Sequence, residues 1–188
     1  MDHLNKKGKI FLVGIGGIGM SGIAEILHNL GYEVTGSDQK IGSNVVRLKK
    51  LGIKIKIGHN ASNIKGSSLV VYSSAIKKQN VEIKEAIKIK IPLISRAEML
   101  AELMRMKKTI TVAGSHGKTT TISIISEIFV KSELDPTVIN GGIINSLGSN
   151  TRLGLGDWMI VETDESDGSF IKLPSFSGLI TVSYTHLT

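Results

Sequence analysis

The stretch "FLVGIGGIGMSG" (Phe11–Gly22) decides the fold. Lys9–Val13 is a short apolar run and reads as a buried strand. Three glycines follow at once, as Gly14-x-Gly16-x-x-Gly19. Ile23, Leu27 and Leu30 then recur at helical spacing, and Gly31 ends the pattern. A strand that turns through glycines into a helix is a receiver for a diphosphate, because the first amides of the helix and its positive end face the anion. In this reading Gly14 permits the tight turn, Gly16 admits a phosphate to the backbone, and Gly19 lets the helix lie close to the strand. Such a unit uses an acidic residue about twenty positions further on to bind a ribose. Asp38 stands there, after the second strand Glu33–Gly36 and Ser37. A diphosphate and a ribose are common to UDP and NAD(P), and the glycine spacing does not separate them.

Outward from this loop the chain alternates strand and helix. A helix over Val45–Leu51 closes at Gly52, and Ile53–Ile57 alternates apolar residues with lysine as a half-exposed strand does. Ser68–Tyr72 is a fourth strand, running into Ser73-Ser74; Val81–Ile89 is a helix and Pro92–Ile94 a fifth strand. Ser95 and Glu98 have the spacing of a capping box, ahead of a Met- and Leu-rich helix ending near Met106 whose stripe reads as core. Lys107-Lys108 marks the expected seam between a first domain, 1–107, and a second, 108–188. Strands are then expected at Thr109–Ala113, Thr137–Asn140, Trp158–Val161 and Gly178–Thr181, with a helix over Thr119–Val130. The expectation is therefore α/β: a Rossmann-like parallel-sheet domain followed by the first part of a P-loop α/β ATPase domain. Ligands in such sheets sit beyond the carboxyl ends of the strands, where the motifs fall.

The second loop is "TVAGSHGKTTT" (Thr111–Thr121). Gly114, Ser115, His116, Gly117, Lys118, Thr119 and Thr120 follow an apolar strand and open a helix. Backbone amides cradle phosphate oxygens, the lysine pairs with the β- and γ-phosphates, and the threonine hydroxyl ligates Mg²⁺. The usual first glycine is replaced by Val112, so this is a shortened P-loop. Magnesium also calls for a carboxylate at the end of a neighbouring strand, and Glu162 ends Trp158–Val161, with Asp164, Glu165 and Asp167 behind it.

Composition bounds the rest. The chain has 188 residues, 41% hydrophobic and 21% charged, with 21 glycines and no cysteine, which excludes disulfides and thiolate metal sites and suits a cytoplasmic setting. Its net charge of +7 comes mostly from scattered lysines, since only Arg47, Arg96, Arg105 and Arg152 are arginine. With 4% aromatic residues and no basic stripe, a nucleic-acid partner is not expected. No apolar run reaches the length of a membrane span, and no membrane insertion is expected.

Two phosphate loops of different kinds imply two phosphorylated ligands, one spent to drive chemistry on the other. The residues that carry them resemble the amino-terminal part of the Mur ligases: Gly14–Leu27, Thr35–Asp38, Ile57–His59, Ser73–Ile76, Arg96–Glu102, Ala113–Thr121, Leu134–Thr137, Asn140–Gly142 and Glu162–Phe170, in family order. The resemblance is strongest to the members that join L-alanine to UDP-N-acetylmuramate. It implies that Gly14, Gly16, Gly17, Gly19, Met20 and Ser21 hold the diphosphate of the UDP-sugar, with Ser37, Asp38, His59, Ser73 and Ser74 lining the rest of that pocket. It implies ATP on Gly114–Thr120, with Lys118, Thr119 and Glu162 as catalytic residues and Thr119 and Glu162 holding Mg²⁺. Asn140–Gly142 and Asp164–Asp167 would lie near the muramoyl end. The implied reaction is ATP-dependent amide formation through an acyl phosphate, in peptidoglycan precursor synthesis, by a ligase of which this chain is an incomplete part. Ser115 departs mildly from the family pattern, which has threonine there, and 182–188 depart altogether, so His186 takes no role. A ligase attaching a recycled tripeptide to the same sugar is the nearest alternative, and an NAD(P)-binding Rossmann oxidoreductase or regulatory module the next.

Overall fold

The computed structural model describes residues 8–144, 149–163 and 177–181. The chain divides into two compact units, Met1–Met99 and Leu100–Thr188.

The first unit is one parallel sheet with its helices. β1 (Lys9–Val13) leads through α1 (Ile18–Asn29) to β2 (Glu33–Asp38), and α2 (Ser43–Lys50) leads to β3 (Lys54–Ile57). A 3-10 turn at Ala61–Ile64 precedes β4 (Leu69–Tyr72), α3 (Val81–Lys88) and β5 (Leu93–Ser95). The strand order is β3-β2-β1-β4-β5. β1 lies between β2 and β4, with Val13 opposite both Ser37 and Tyr72. Its residues Ile10–Val13 are buried on both faces, which explains why the run is continuously apolar rather than alternating. Phe11, Val13 and Val70 pack with Ile64 and Ala86 of α3 on one face. The strand order reverses between β1 and β4, so the crevice for a ligand opens at the carboxyl ends of those two strands.

α4 (Arg96–Arg105) begins with the expected capping box. The Ser95 N–H donates to Glu98 Oε2 at 2.6 Å, and the Glu98 N–H donates to Ser95 Oγ at 3.2 Å. Met99, Leu103 and Met104 are buried, as a core stripe requires, whereas Met106 is exposed. The division between the units falls inside α4, ahead of Lys107-Lys108.

The second unit contains β6 (Lys108–Ala113), α5 (Lys118–Lys131), β7 (Thr137–Ile144), β8 (Ser149–Arg152), β9 (Trp158–Glu162) and β10 (Ser177–Ile180). Its strand order is β10-β6-β9-β7-β8. Val112, Val138 and Ile160 pack against Ile122, Ile125 and Phe129 of α5. β8 pairs antiparallel with β7, so this sheet is mixed. β7 runs on to Ile144, past the expected end at Asn140, so Gly141 and Gly142 also lie within the strand. No helix among the described residues is long and apolar enough to cross a membrane.

Candidate functional site

In the first unit the glycine loop leaves β1 at Gly14, which turns with φ +77°. The N–H groups of Gly14 and Ile15 both donate to Ser37 O, at 2.9 and 3.0 Å, fastening the loop to the end of β2. Ser73, at the end of β4, donates its N–H to Val13 O at 3.3 Å, so β1, β2 and β4 converge on the loop. Ser74 beside it is exposed.

Gly16 and Gly19 are glycines for reasons other than those expected. The Gly16 N–H donates to Asp38 Oδ2 at 2.8 Å, and Asn44 Nδ2 donates to Gly16 O at 3.0 Å. A Cβ on Gly16 would stand 2.7 Å from Val45 Cγ2 and 2.9 Å from Asp38 Oδ2. The protein itself fills the space that a bare glycine was expected to leave for phosphate. At Gly19 a Cβ would meet Arg96 Nη1 at 2.9 Å and Cδ at 3.3 Å, so the helix makes room for a guanidinium and not for the strand. Arg96 thereby brings positive charge to the first turn of α1, which carries no acidic residue and has Gly17 as its cap. Of the other loop residues, Gly17 is exposed, and Met20 and Ser21 are buried in the core. The Ser21 N–H goes to Gly17 O and its hydroxyl to Ile18 O, so both of its donors are spent within the helix.

Successive strand residues point to opposite faces, which separates Ser37 from Asp38. Asp38 turns toward the glycine loop; Ser37 turns toward α3. There the Ser37 hydroxyl donates to Glu82 Oε2 at 2.6 Å, and His59 Nδ1 lies 2.7 Å from the same oxygen and 3.1 Å from Ser37 Oγ. Asn63 Nδ2 donates to Glu82 Oε1 at 2.7 Å. Glu82 is fully buried and was not anticipated, because it stands in a helix that otherwise alternates like a surface helix. Asp38 therefore bonds to the glycine loop, whereas His59 is held with Ser37 and Glu82.

In the second unit the phosphate loop bridges β6 and α5. Ser115, His116, Gly117, Thr119 and Thr120 are exposed, and Gly114 is buried. Gly117 caps α5 with φ +79°, a left-handed turn that costs glycine nothing. Lys118 Nζ donates to Gly114 O at 2.6 Å, folding the lysine back over the loop. Val112 lies opposite Glu162, and paired residues of parallel strands share a face. Val112 packs under α5, so Glu162 leaves the sheet on the face that α5 covers, at the end where Lys118 and Thr119 begin that helix. A lysine, a hydroxyl and a carboxylate at one end of one face form the donor set that a magnesium-bound triphosphate requires. Asp164, Glu165 and Asp167 lie outside the described residues.

Comparison with known proteins agrees with this geometry. Residues 9–108 match the model of the Mur ligase family, catalytic domain. The chain is 56% identical, over 96% of its length, to the UDP-N-acetylmuramate–L-alanine ligase of Nitrobacter winogradskyi. Among solved structures, the UDP-N-acetylmuramate–alanine ligase of Thermotoga maritima superposes with a TM-score of 0.86 at 34% identity, covering 95% of this chain and 42% of that one. The UDP-N-acetylmuramate:L-alanyl-γ-D-glutamyl-meso-diaminopimelate ligase of Neisseria meningitides superposes with a TM-score of 0.83 at 25% identity, covering 96% and 62%. The chain spans 39% of the length of the Nitrobacter relative and 37% of several others. With a glycine loop and a phosphate loop on successive α/β units, and with relatives of this closeness, the chain belongs to the Mur ligase family.

Proposed function

We propose that this chain is the UDP-sugar-binding domain (1–107) and the start of the ATP-binding domain (108–188) of a ligase that joins L-alanine to UDP-N-acetylmuramate in peptidoglycan precursor synthesis. The observation that carries the reading is the second loop. A dehydrogenase has no use for Lys118 folded over a phosphate loop with Glu162 on the face of its helix.

In the first unit the N-terminal turn of α1 from Gly17 to Gly19, whose Gly17 and Ile18 are exposed, takes the diphosphate together with Arg96. Gly14, Gly16 and Asp38 hold the loop in shape, and His59, Ser73 and Ser74 stand further along the strand ends. In the second unit Gly114–Thr120 take the phosphates of ATP, Lys118 neutralises their charge, and Thr119 and Glu162 supply hard oxygen ligands for Mg²⁺. ATP supplies the phosphoryl group that activates the sugar's lactyl carboxylate for attack by the amine. The protein's part is positioning and charge neutralisation, with no protein nucleophile. The greater identity to alanine-adding relatives than to the tripeptide ligase favours L-alanine.

Titration calorimetry of the chain with UDP-N-acetylmuramate, and separately with Mg·ATP, tests the reading. Saturable binding of each is expected; saturable binding of NADH with no heat from the UDP-sugar would overturn it.

A further inference from the structure

Thr181, directly after β10, has no part in the reading above, yet among the described residues it bonds to the end of β6 and to the phosphate loop. Its N–H donates to Ala113 O at 2.8 Å. Its hydroxyl lies 2.7 Å from His116 O and 3.0 Å from Ala113 O, sharing one proton between two carbonyls. A Cβ on Gly114, whose φ is +136°, would overlap that hydroxyl, so the loop is shaped to receive it. On the other side of β6, Thr163 uses its N–H (3.0 Å) and its hydroxyl (3.3 Å) on Val112 O. The last two carbonyls of β6 are thus each held by a threonine from a neighbouring strand end. Of these two threonines, only Thr181 reaches past the strand into the loop.

We infer that Thr181 is a positioning residue of the phosphate loop: its hydroxyl fixes the His116 carbonyl and so turns the Gly117 amide toward the bound phosphate. The inference rests on the reading of this loop as the ATP site. The peptide between His116 and Gly117 is trans and planar, so its C=O and N–H point in opposite directions. Holding the carbonyl against Thr181 sends the Gly117 N–H the other way, away from β10. Gly117 is also the cap of α5, so that amide belongs to the row at the positive end of the helix. Amides set before the ligand arrives spare the cost of ordering them on binding.

The test uses the 188-residue chain and its Thr181→Val and Thr181→Ser variants. Valine keeps the shape and removes the hydroxyl; serine keeps the hydroxyl. Thr181→Val is expected to bind Mg·ATP about tenfold more weakly, the equivalent of one hydrogen bond. Its Gly117 amide resonance shifts in the free protein, whereas Thr181→Ser resembles the parent in both. Parental affinity with an unmoved Gly117 amide in Thr181→Val overturns the inference. The parent alone also reports: a His116 carbonyl carbon with the shift of an unbonded loop carbonyl overturns it even if the valine variant does not fold. If the parent binds no Mg·ATP, the nucleotide reading falls, and the Gly117 and His116 shifts still decide whether Thr181 holds the loop.

Discussion

The buried carboxylate of Glu82 lies 2.7 Å from Nδ1 of His59. The Ser37 hydroxyl, the Asn63 amide and, at 3.4 Å, the Asn60 N–H complete its partners. The other ring nitrogen, Nε2, is buried and has no partner among the described residues. Glu82→Gln turns an NH₂ group toward these donors. It is expected to destabilise the first unit by about 2–4 kcal/mol. Urea unfolding followed by circular dichroism measures this, and a parental midpoint would show that the network is not structural.

Gly19→Ala separates packing from ligand binding. The new methyl would stand 2.9 Å from Arg96 Nη1, the far end of a flexible side chain, so the guanidinium moves and the fold does not. Alanine also favours the helix over glycine by about 1 kcal/mol. The melting temperature is expected to hold or rise while affinity for UDP-N-acetylmuramate falls about tenfold, as for loss of one charge-assisted hydrogen bond. Arg96→Ala should match that loss. Parental affinity in both variants would remove Arg96 from the site.

Much of this architecture was legible because β1 and β4 are short apolar runs, β3 alternates apolar residues with lysine, and the helices repeat their apolar residues at helical spacing. The Ser95–Glu98 box was readable for the same reason, since both partners lie within one turn. What escaped depends on partners far away in the chain. Ser149-Asn150-Thr151-Arg152 is polar and reads as loop; its strand character comes from pairing with β7. The glycine spacing identified the loop but not what presses on it, because Asp38, Val45 and Arg96 arrive from other elements. Glu82 and Thr181 carry no local mark: a carboxylate in an ordinary helix and a threonine at a strand end become informative only once the sheet brings their partners beside them.

Lys107 gives a prediction in pH. Its ammonium donates to Thr137 Oγ1 at 3.1 Å, Gly154 O at 3.1 Å and Gly156 O at 2.7 Å. Burial pushes its pKa below the ordinary 10.5, against the pull of Asp157 and Asp135. Between the folded and unfolded values the unfolded chain holds more protons, so this residue's contribution to stability rises with pH across that window and is flat below it. Lys107→Met should be less stable than the parent by about 1–3 kcal/mol, since Gly156 O loses its donor while Gly154 O keeps only the Thr137 hydroxyl. The gap between parent and variant should widen as pH approaches 10.5 from below. Denaturant unfolding read by the single tryptophan, Trp158, reports on this unit. A gap that narrows over the same range would contradict the assigned direction.

Asn140 reverses the usual expectation for a core substitution. It is fully buried in β7, yet among the described residues neither its Oδ1 nor its Nδ2 has a partner. An orphaned buried polar group costs about 1–3 kcal/mol, so Asn140→Leu, which keeps the branched outline of the side chain and is apolar, should stabilise the second unit by about 1 kcal/mol. The register brings Ile139 opposite Val161, and Asn140 and Glu162, the proposed magnesium ligand, each follow that pair in sequence. If the orphaned amide serves the ATP site, Mg·ATP binding falls in the same variant that melts higher. Stability loss in Asn140→Leu would show instead that the amide is satisfied in solution, by a buried water, and that it contributes to the fold.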